Sequence, residues 1–367
     1  MARPDDNADA LAGPASGAAP VTVPVAAPAL VPALATTPEL AIDTRGLTKR
    51  FREVTAVDRL DIDVRSGELF GVVGPDGAGK STLIRMLATV LSPTSGDATI
   101  FGHSIRSEAR AIKGRIGYMS QRFSLYNDLT VRENLDFFAK LRGVPRAERA
   151  IRSKRLLEFA GLTGFVDRHA QFLSGGMRQK LALAATLIHE PDLILLDEPT
   201  TGVDPVSRRE FWRIISDLHT QGITVLVATP YMDEAERCEE VAFMQSGRIM
   251  VRDTPAKLKA SVPGRLVETS TSSDRDALSA VRGLPGVVSA EDYGELIQIV
   301  VAFDGPSNDG LRAAIEGAGV SVAWLRDARV SMETAFAMLV AASPQSGPPE
   351  TGPPEDASHR DSVENAS

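Results

Sequence analysis

The chain has 367 residues, 43% of them hydrophobic and 24% charged, which is the composition of a globular protein long enough for two domains plus tails. Its net charge of −8 argues against a general nucleic-acid binder, which would be basic. The single cysteine, Cys238, excludes an internal disulfide and fits a reducing compartment.

Residues 10–38 carry no charge and so invite a check for a membrane span. A spanning helix needs roughly 20 apolar residues. This stretch holds six prolines, among them Pro20, Pro24, Pro28 and Pro32, and each breaks helical bonding. The start, MARPDDNADA, is acidic, unlike the basic start of a signal peptide. Residues 1–40 are expected to be a disordered Ala/Pro tail, so any membrane role must come through a partner.

From residue 40 to about 255, short apolar runs alternate with helical patterns, the mark of parallel strands buried on both faces of an α/β fold. The first such run, LFGVV (69–73), leads into GPDGAGKST and then a helix-like STLIRMLATVL. Gly74, Gly79, Lys80 and Ser81 match G-x-x-x-x-G-K-[ST]. Glycines there let successive N–H groups turn inward around phosphates, and the helix beginning near Lys80 points its positive end at the same anion. Lys80 is expected to reach the β- and γ-phosphates and the Ser81 hydroxyl to bind Mg2+.

Between about 122 and 172 the strand signal disappears, and a helical subdomain is expected as an insertion. LTVRENLDFFAKLRG opens with a capping box, Thr130 with Glu133, and Leu135, Phe138 and Leu141 are expected on one buried face. RAIRSKRLLEFAGL (149–162) is a second amphipathic stretch. The next buried run ends in DLILLDEPT (192–200), where Asp197 is placed to hold Mg2+ through water and Glu198 to activate the attacking water. ITVLVA (223–228) is a third buried strand, and it ends in Thr229 and Pro230. Residues 265–340 read β-α-β-β-α-β, the ferredoxin-like order, followed by the amphipathic SMETAFAMLV. This small α+β domain shows no catalytic cluster and is expected to be accessory. The acidic, Pro-rich residues 343–367 are expected to be disordered.

FLSGGMRQKLALAATLI (172–188) resembles the LSGGQ signature of ATP-binding cassette (ABC) proteins, with Met177 where Gln is usual. The resemblance covers most of residues 44–250, with its motifs in the family's order. It implies a P-loop cassette, residues 41–255, that binds ATP through Phe51 against adenine and through Gly74, Pro75, Asp76, Gly77, Ala78, Gly79, Lys80, Ser81 and Thr82. It implies that Gln121 joins the catalytic core to the helical insertion and helps hold the metal, with Ser81 and Asp197. It implies that Ser174, Gly175 and Gly176 close on the nucleotide of a second ATPase subunit, and that Asp204 lies in a dimer loop. The single cassette, the small C-terminal domain, Asp76 and YMDEAERC together resemble the ATPase subunits of ABC-2-type exporters. Such subunits sit at the cytoplasmic face of the cell membrane beneath separate membrane permease subunits, and no nucleic acid is involved. Segment 122–126, from Arg122 to Tyr126, fits a docking surface for those subunits, or else internal packing.

The sequence departs from the family at Pro230, where most cassettes carry a histidine that touches the γ-phosphate. The favoured reading is a tolerated variant, with Glu198, Lys80 and Mg2+ carrying hydrolysis. The alternative is a site that binds ATP but hydrolyses poorly, as in a regulatory or partner-dependent subunit. A soluble cassette acting on ribosomes or DNA fits less well, because the chain is acidic and has one cassette.

Overall fold

The chain opens with a strand longer than the hydrophobic pattern announces. β1 (Leu40–Phe51) pairs antiparallel with β2 (Val54–Leu60) at one end and with β3 (Asp63–Arg65) at the other. The computed structural model describes residues 40–122 and 125–342. The tails expected to be disordered lie outside those residues, as do Phe123 and Ser124. Leu40, read as the end of the tail, instead pairs with Arg65 as the first residue of β1.

β4 (Leu69–Val73) runs into the phosphate-loop sequence and then α1 (Lys80–Leu87). The helix is shorter than STLIRMLATVL suggests. Thr89 turns left-handed at φ 56°, and the N–H groups of Val90 and Leu91 fold back onto the Arg85 carbonyl, which ends the helix. β5 (Ser95–Ile100) and β6 (His103–Ser104) extend the β1 sheet, and α2 (Ala109–Arg115) leads into β7 (Ile116–Met119).

The helical insertion follows as α3 (Val131–Leu141) and α4 (Arg146–Phe159). Thr130 and Glu133 form the expected reciprocal capping box. The buried face of α3 differs from the expected one: Val131, Leu135 and Ala139 are buried, Phe138 packs partly, and Leu141 is 66% exposed. Asn134 takes the remaining inward position. Its carboxamide satisfies the Tyr126 N–H and the Tyr126, Leu129 and Thr130 carbonyls, so a polar side chain closes the loop under the helix.

α5 (Gly175–Leu187), β8 (Leu193–Asp197), α6 (Pro205–Thr220), β9 (Thr224–Thr229), α7 (Met232–Ala235), β10 (Glu240–Gln245), β11 (Arg248–Asp253) and α8 (Pro255–Ala260) complete the cassette. Its main sheet has the order β11-β10-β4-β9-β8-β7, parallel throughout except for the β10–β11 hairpin. Successive residues of the central strands enter two separate cores. Val73, Ile194, Leu196, Val225 and Val227 face one, and Phe70, Val72, Leu195, Leu226 and Ala228 face the other. The continuous apolar runs of the sequence thus reflect burial on both faces, each such side chain contributing about 1.5–3 kcal/mol. α5 and α6 fill the first core and α1 the second, so α5 and α1 lie on opposite faces of the sheet.

β12 (Arg265–Thr271), α9 (Asp274–Arg282), β13 (Val287–Tyr293), β14 (Leu296–Val301), α10 (Asn308–Gly317) and β15 (Val322–Ala328) form a second unit. Its sheet has the order β13-β14-β12-β15, every pair antiparallel, with α9 and α10 over one face. β14 stops at Val301, and Phe303 beyond it is 83% exposed. α11 (Met332–Ala342) then returns to the cassette. Met332 is buried in the cassette core, and the Phe336 ring meets Phe243 edge-on at 5.1 Å.

Candidate nucleotide site at the carboxyl edge of the sheet

Four parallel strands deliver their carboxyl ends to one edge, where open α/β sheets hold their ligands. β4 delivers Gly74, β8 ends in Asp197, β9 ends in Thr229, and β7 leads to Gln121.

The loop after β4 has the backbone its glycines permit. Gly79 sits at φ 106°, and a Cβ there would lie 2.1 Å from the Ala56 carbonyl oxygen, so only glycine fits. It begins α1 without a side-chain cap, which leaves the first-turn N–H groups to an incoming anion. The Lys80 ammonium lies in this loop, donating to the carbonyls of Gly74 at 2.8 Å and Pro75 at 2.9 Å, with Glu198 Oε1 3.7 Å away.

Opposite the loop stands the acid pair. Ser81 Oγ donates to Asp197 Oδ1 at 2.7 Å, while Asp197 Oδ2 is buried without a hydrogen-bond partner among the described residues. Burial pushes the Asp197 carboxyl above its ordinary pKa and the neighbouring Glu198 adds to the rise, while the Ser81 hydrogen bond and the charges of Arg85 and Lys80 oppose it. An orphaned carboxylate oxygen beside a serine hydroxyl fits a hard divalent cation such as Mg2+, which takes oxygen ligands and keeps several waters. Glu198, the next residue, adopts a left-handed backbone at φ 48°. Its Oε2 accepts from Gln121 Nε2 at 2.7 Å and from Thr201 Oγ1 at 3.3 Å.

Pro230 is half-buried just past β9, and Tyr231 does not replace the missing imidazole. Its ring lies under the Arg208 guanidinium at 4.1 Å, turned toward α6. Phe51, at the end of β1, is 46% exposed, and the Lys49 ammonium lies over its ring, 5.0 Å from the centre.

Ser174 caps α5 by accepting from the Met177 N–H, which uses one of the first-turn donors of that helix. Gly176 packs against α6: a Cβ there would lie 2.3 Å from Ser207 Oγ. Asp204 caps α6, accepting from the N–H groups of Val206 and Ser207, and the Ser207 backbone bond holds its carboxyl below the ordinary range.

A family model described as ABC transporter matches residues 57–201. The probable multidrug ABC transporter ATP-binding protein YbhF of Escherichia coli is 42% identical over 275 residues, 74% of this chain and 48% of that protein. The chain thus spans about half the length of that relative. The daunorubicin/doxorubicin resistance ATP-binding protein DrrA of Streptomyces peucetius is 43% identical over 228 residues, 62% of this chain and 69% of DrrA. This chain belongs to the ABC transporter family. A solved ATP-binding cassette, MJ0796, determined as a dimer in a post-hydrolysis state with ADP and phosphate, superposes with a TM-score of 0.54 at 26% identity. It covers 58% of this chain, and the match takes in 98% of that cassette.

Within the cassette, the structure gathers Lys80, Ser81, Gln121, Asp197 and Glu198 into one site, with Thr229 and Pro230 on the same edge. It does not bring Ser174, Gly175 and Gly176 to that site's own phosphate loop, because α5 and α1 lie on opposite sheet faces. Sequence reasoning missed Thr201 on Glu198 and Lys49 on Phe51. It also missed a role for Glu234, which it reads within YMDEAERC as a mark of the exporter group. The buried Glu234 carboxylate in fact binds the hydroxyls of Thr200 and Thr229.

Proposed function

We propose that this chain is the ATP-hydrolysing subunit of an exporter, working as a dimer beneath separate membrane subunits at the cytoplasmic face of the cell membrane. The observation that carries the reading is the gathering of Lys80, Ser81, Asp197, Glu198 and Gln121 at the end of one phosphate loop. The loop N–H groups and Lys80 hold the ATP phosphates, with Phe51 under the adenine. Ser81 and, through water, Asp197 would hold Mg2+, which would supply charge neutralisation when bound. Glu198 accepts a proton from water as its oxygen attacks the γ-phosphorus, and the bond to the β-phosphate oxygen breaks to release ADP. Gln121 and Thr201 orient the Glu198 carboxylate through the hydrogen bonds they donate.

A second copy supplies Ser174, Gly175 and Gly176. Support comes from the opposite placement of α1 and α5, which bars one subunit from wrapping both segments around one nucleotide. A two-fold, head-to-tail pair meets that constraint. Among the described residues no helix is long and apolar enough to cross a membrane. The multidrug and daunorubicin/doxorubicin names of YbhF and DrrA support export as the direction. Leu125 packs partly into the cassette core, which supports internal packing, while Tyr126, edge-on to Phe137 at 4.5 Å, stays 49% exposed, which supports permease docking. The C-terminal unit is read as ferredoxin-like on its strand order and antiparallel pairing.

Steady-state Mg-ATP hydrolysis by the purified chain tests this, beside Glu198→Gln. The expected result is turnover that falls at least ~100-fold in the variant. Equal, negligible rates with intact ATP binding favour the second reading, which Pro230 sustains: a cassette that binds ATP and relies on a partner to hydrolyse it.

A further inference from the structure

We infer that Glu234 is a positioning residue for hydrolysis, clamping the Glu198 turn, the start of α6 and the Pro230 turn into one register. The inference rests on the ATPase reading above. The Glu234 side chain is fully buried at 0% exposure, on a helix of four residues immediately beyond the turn where Pro230 stands. Both its oxygens are engaged. Thr200 Oγ1 donates to Oε1, and Thr229 Oγ1 donates to Oε2 at 2.6 Å. Arg208 Nε lies 3.8 Å from Oε1. A buried carboxylate is costly unless it is paired and hydrogen-bonded, so the three segments it joins must stay together for it to remain satisfied.

Each segment carries something the site needs. Thr200 is two residues beyond Glu198, whose left-handed backbone at φ 48° costs about 1–2 kcal/mol and persists only where neighbours over-determine it. The Glu198 N–H is tied to the Ala228 carbonyl at 2.8 Å, and Glu234 adds a second tie between the same two segments. Arg208 stands one helical turn beyond Asp204. Thr229 immediately precedes Pro230 and does double duty: its oxygen accepts the Tyr231 N–H at 3.1 Å while its hydroxyl donates to Glu234. Proline offers neither an N–H nor a polar side chain to fix this turn. The Thr229–Glu234 pair fixes it from behind, out of reach of any ligand.

The test is Glu234→Gln in the full chain, which keeps the size but leaves one of the two threonine hydroxyls without an acceptor. The expected result is a kcat reduced roughly 10- to 100-fold, with KM for ATP changed by less than about twofold. Thr229→Val is expected to reproduce the loss and Thr229→Ser to recover it. In a Glu198→Gln background, Glu234→Gln is expected to remove nothing further, since both act through one carboxylate. Amide hydrogen exchange provides a readout independent of turnover. Exchange in 198–204 and 229–233 is expected to quicken at least ~10-fold in Glu234→Gln, with 69–87 unchanged. Wild-type kcat and exchange in the variant overturn the inference, as does exchange that rises evenly across the cassette. A wild-type chain that never hydrolyses ATP refutes the ATPase reading instead, and the exchange pattern then decides on the clamp by itself.

Discussion

His189 shows how one residue's surroundings set its charge. Its Nε2 donates to the Ile116 carbonyl at 2.9 Å, while Nδ1 is buried with no partner among the described residues. A second proton would have to sit on that unpartnered nitrogen, close to Arg142 and Arg152. Burial first, and these like charges after it, lower its pKa from 6.5 to about 4, against the smaller pull of the Ile116 bond. The sign follows directly. Between about pH 4 and 6.5 the unfolded chain binds more protons at this position than the folded one, so stability rises with pH across that window and is lost on acidification. The loss amounts to at most about 3 kcal/mol. His189→Gln keeps a donor for Ile116 and cannot titrate. Urea unfolding from pH 4 to 7 is expected to show a flatter pH dependence for the variant than for the wild type. Parallel curves for the two proteins would show that His189 is not the group responsible.

At the scale of elements, α3 separates what the sequence displays from what it conceals. Its start was legible because a capping box is local: Thr130 and Glu133 satisfy each other's backbone whatever surrounds them. Thr130→Ala is expected to cost about 1 kcal/mol. Its inward face was not legible, because an apolar pattern ranks Leu141 above Asn134, and only the loop folded beneath the helix reverses that order. Asn134→Leu, which the pattern would welcome, is expected to cost about 2 kcal/mol, because the Tyr126 N–H loses its acceptor while the Tyr126, Leu129 and Thr130 carbonyls keep only their backbone donors. Denaturant titration of both variants orders the two effects, and a Leu variant more stable than Thr130→Ala would refute the account. The same distinction runs through the site. The phosphate loop and the Asp197–Glu198 pair could be read because contiguous residues and a strand end imply them. The Glu234 clamp could not, since its bond to Thr200 spans 34 positions and forms only once β8 and β9 lie side by side, although its other partner, Thr229, is a near neighbour in the chain. The β1 sheet was missed for a further reason: β1 bulges as it passes from one partner to the next, which breaks the clean alternation of a strand.

For the whole molecule, the question is whether the C-terminal unit is an appendage or part of the cassette. α11 answers it by packing on both. Met332 enters the cassette core with Phe336 and Leu339 alongside, while Ala335 and Met338 pack with Leu266 and Val300 of the second sheet. Its cassette-side neighbours are α8 and α7, and α7 carries Glu234. A wedge shared by two cores couples their stabilities, since neither can open without exposing side chains that belong to the other. Met332→Ala removes a fully buried side chain from this wedge, at an expected cost of about 2–4 kcal/mol. Scanning calorimetry of the full chain is expected to show one transition in the wild type. In Met332→Ala that transition is expected to fall and broaden or split, as the second sheet and its helices melt apart from the cassette. Two separate transitions already present in the wild type would mean that α11 only rests against the cassette. A single sharp transition in the variant, merely shifted down, would mean that other contacts couple the units and that α11 adds stability without joining them.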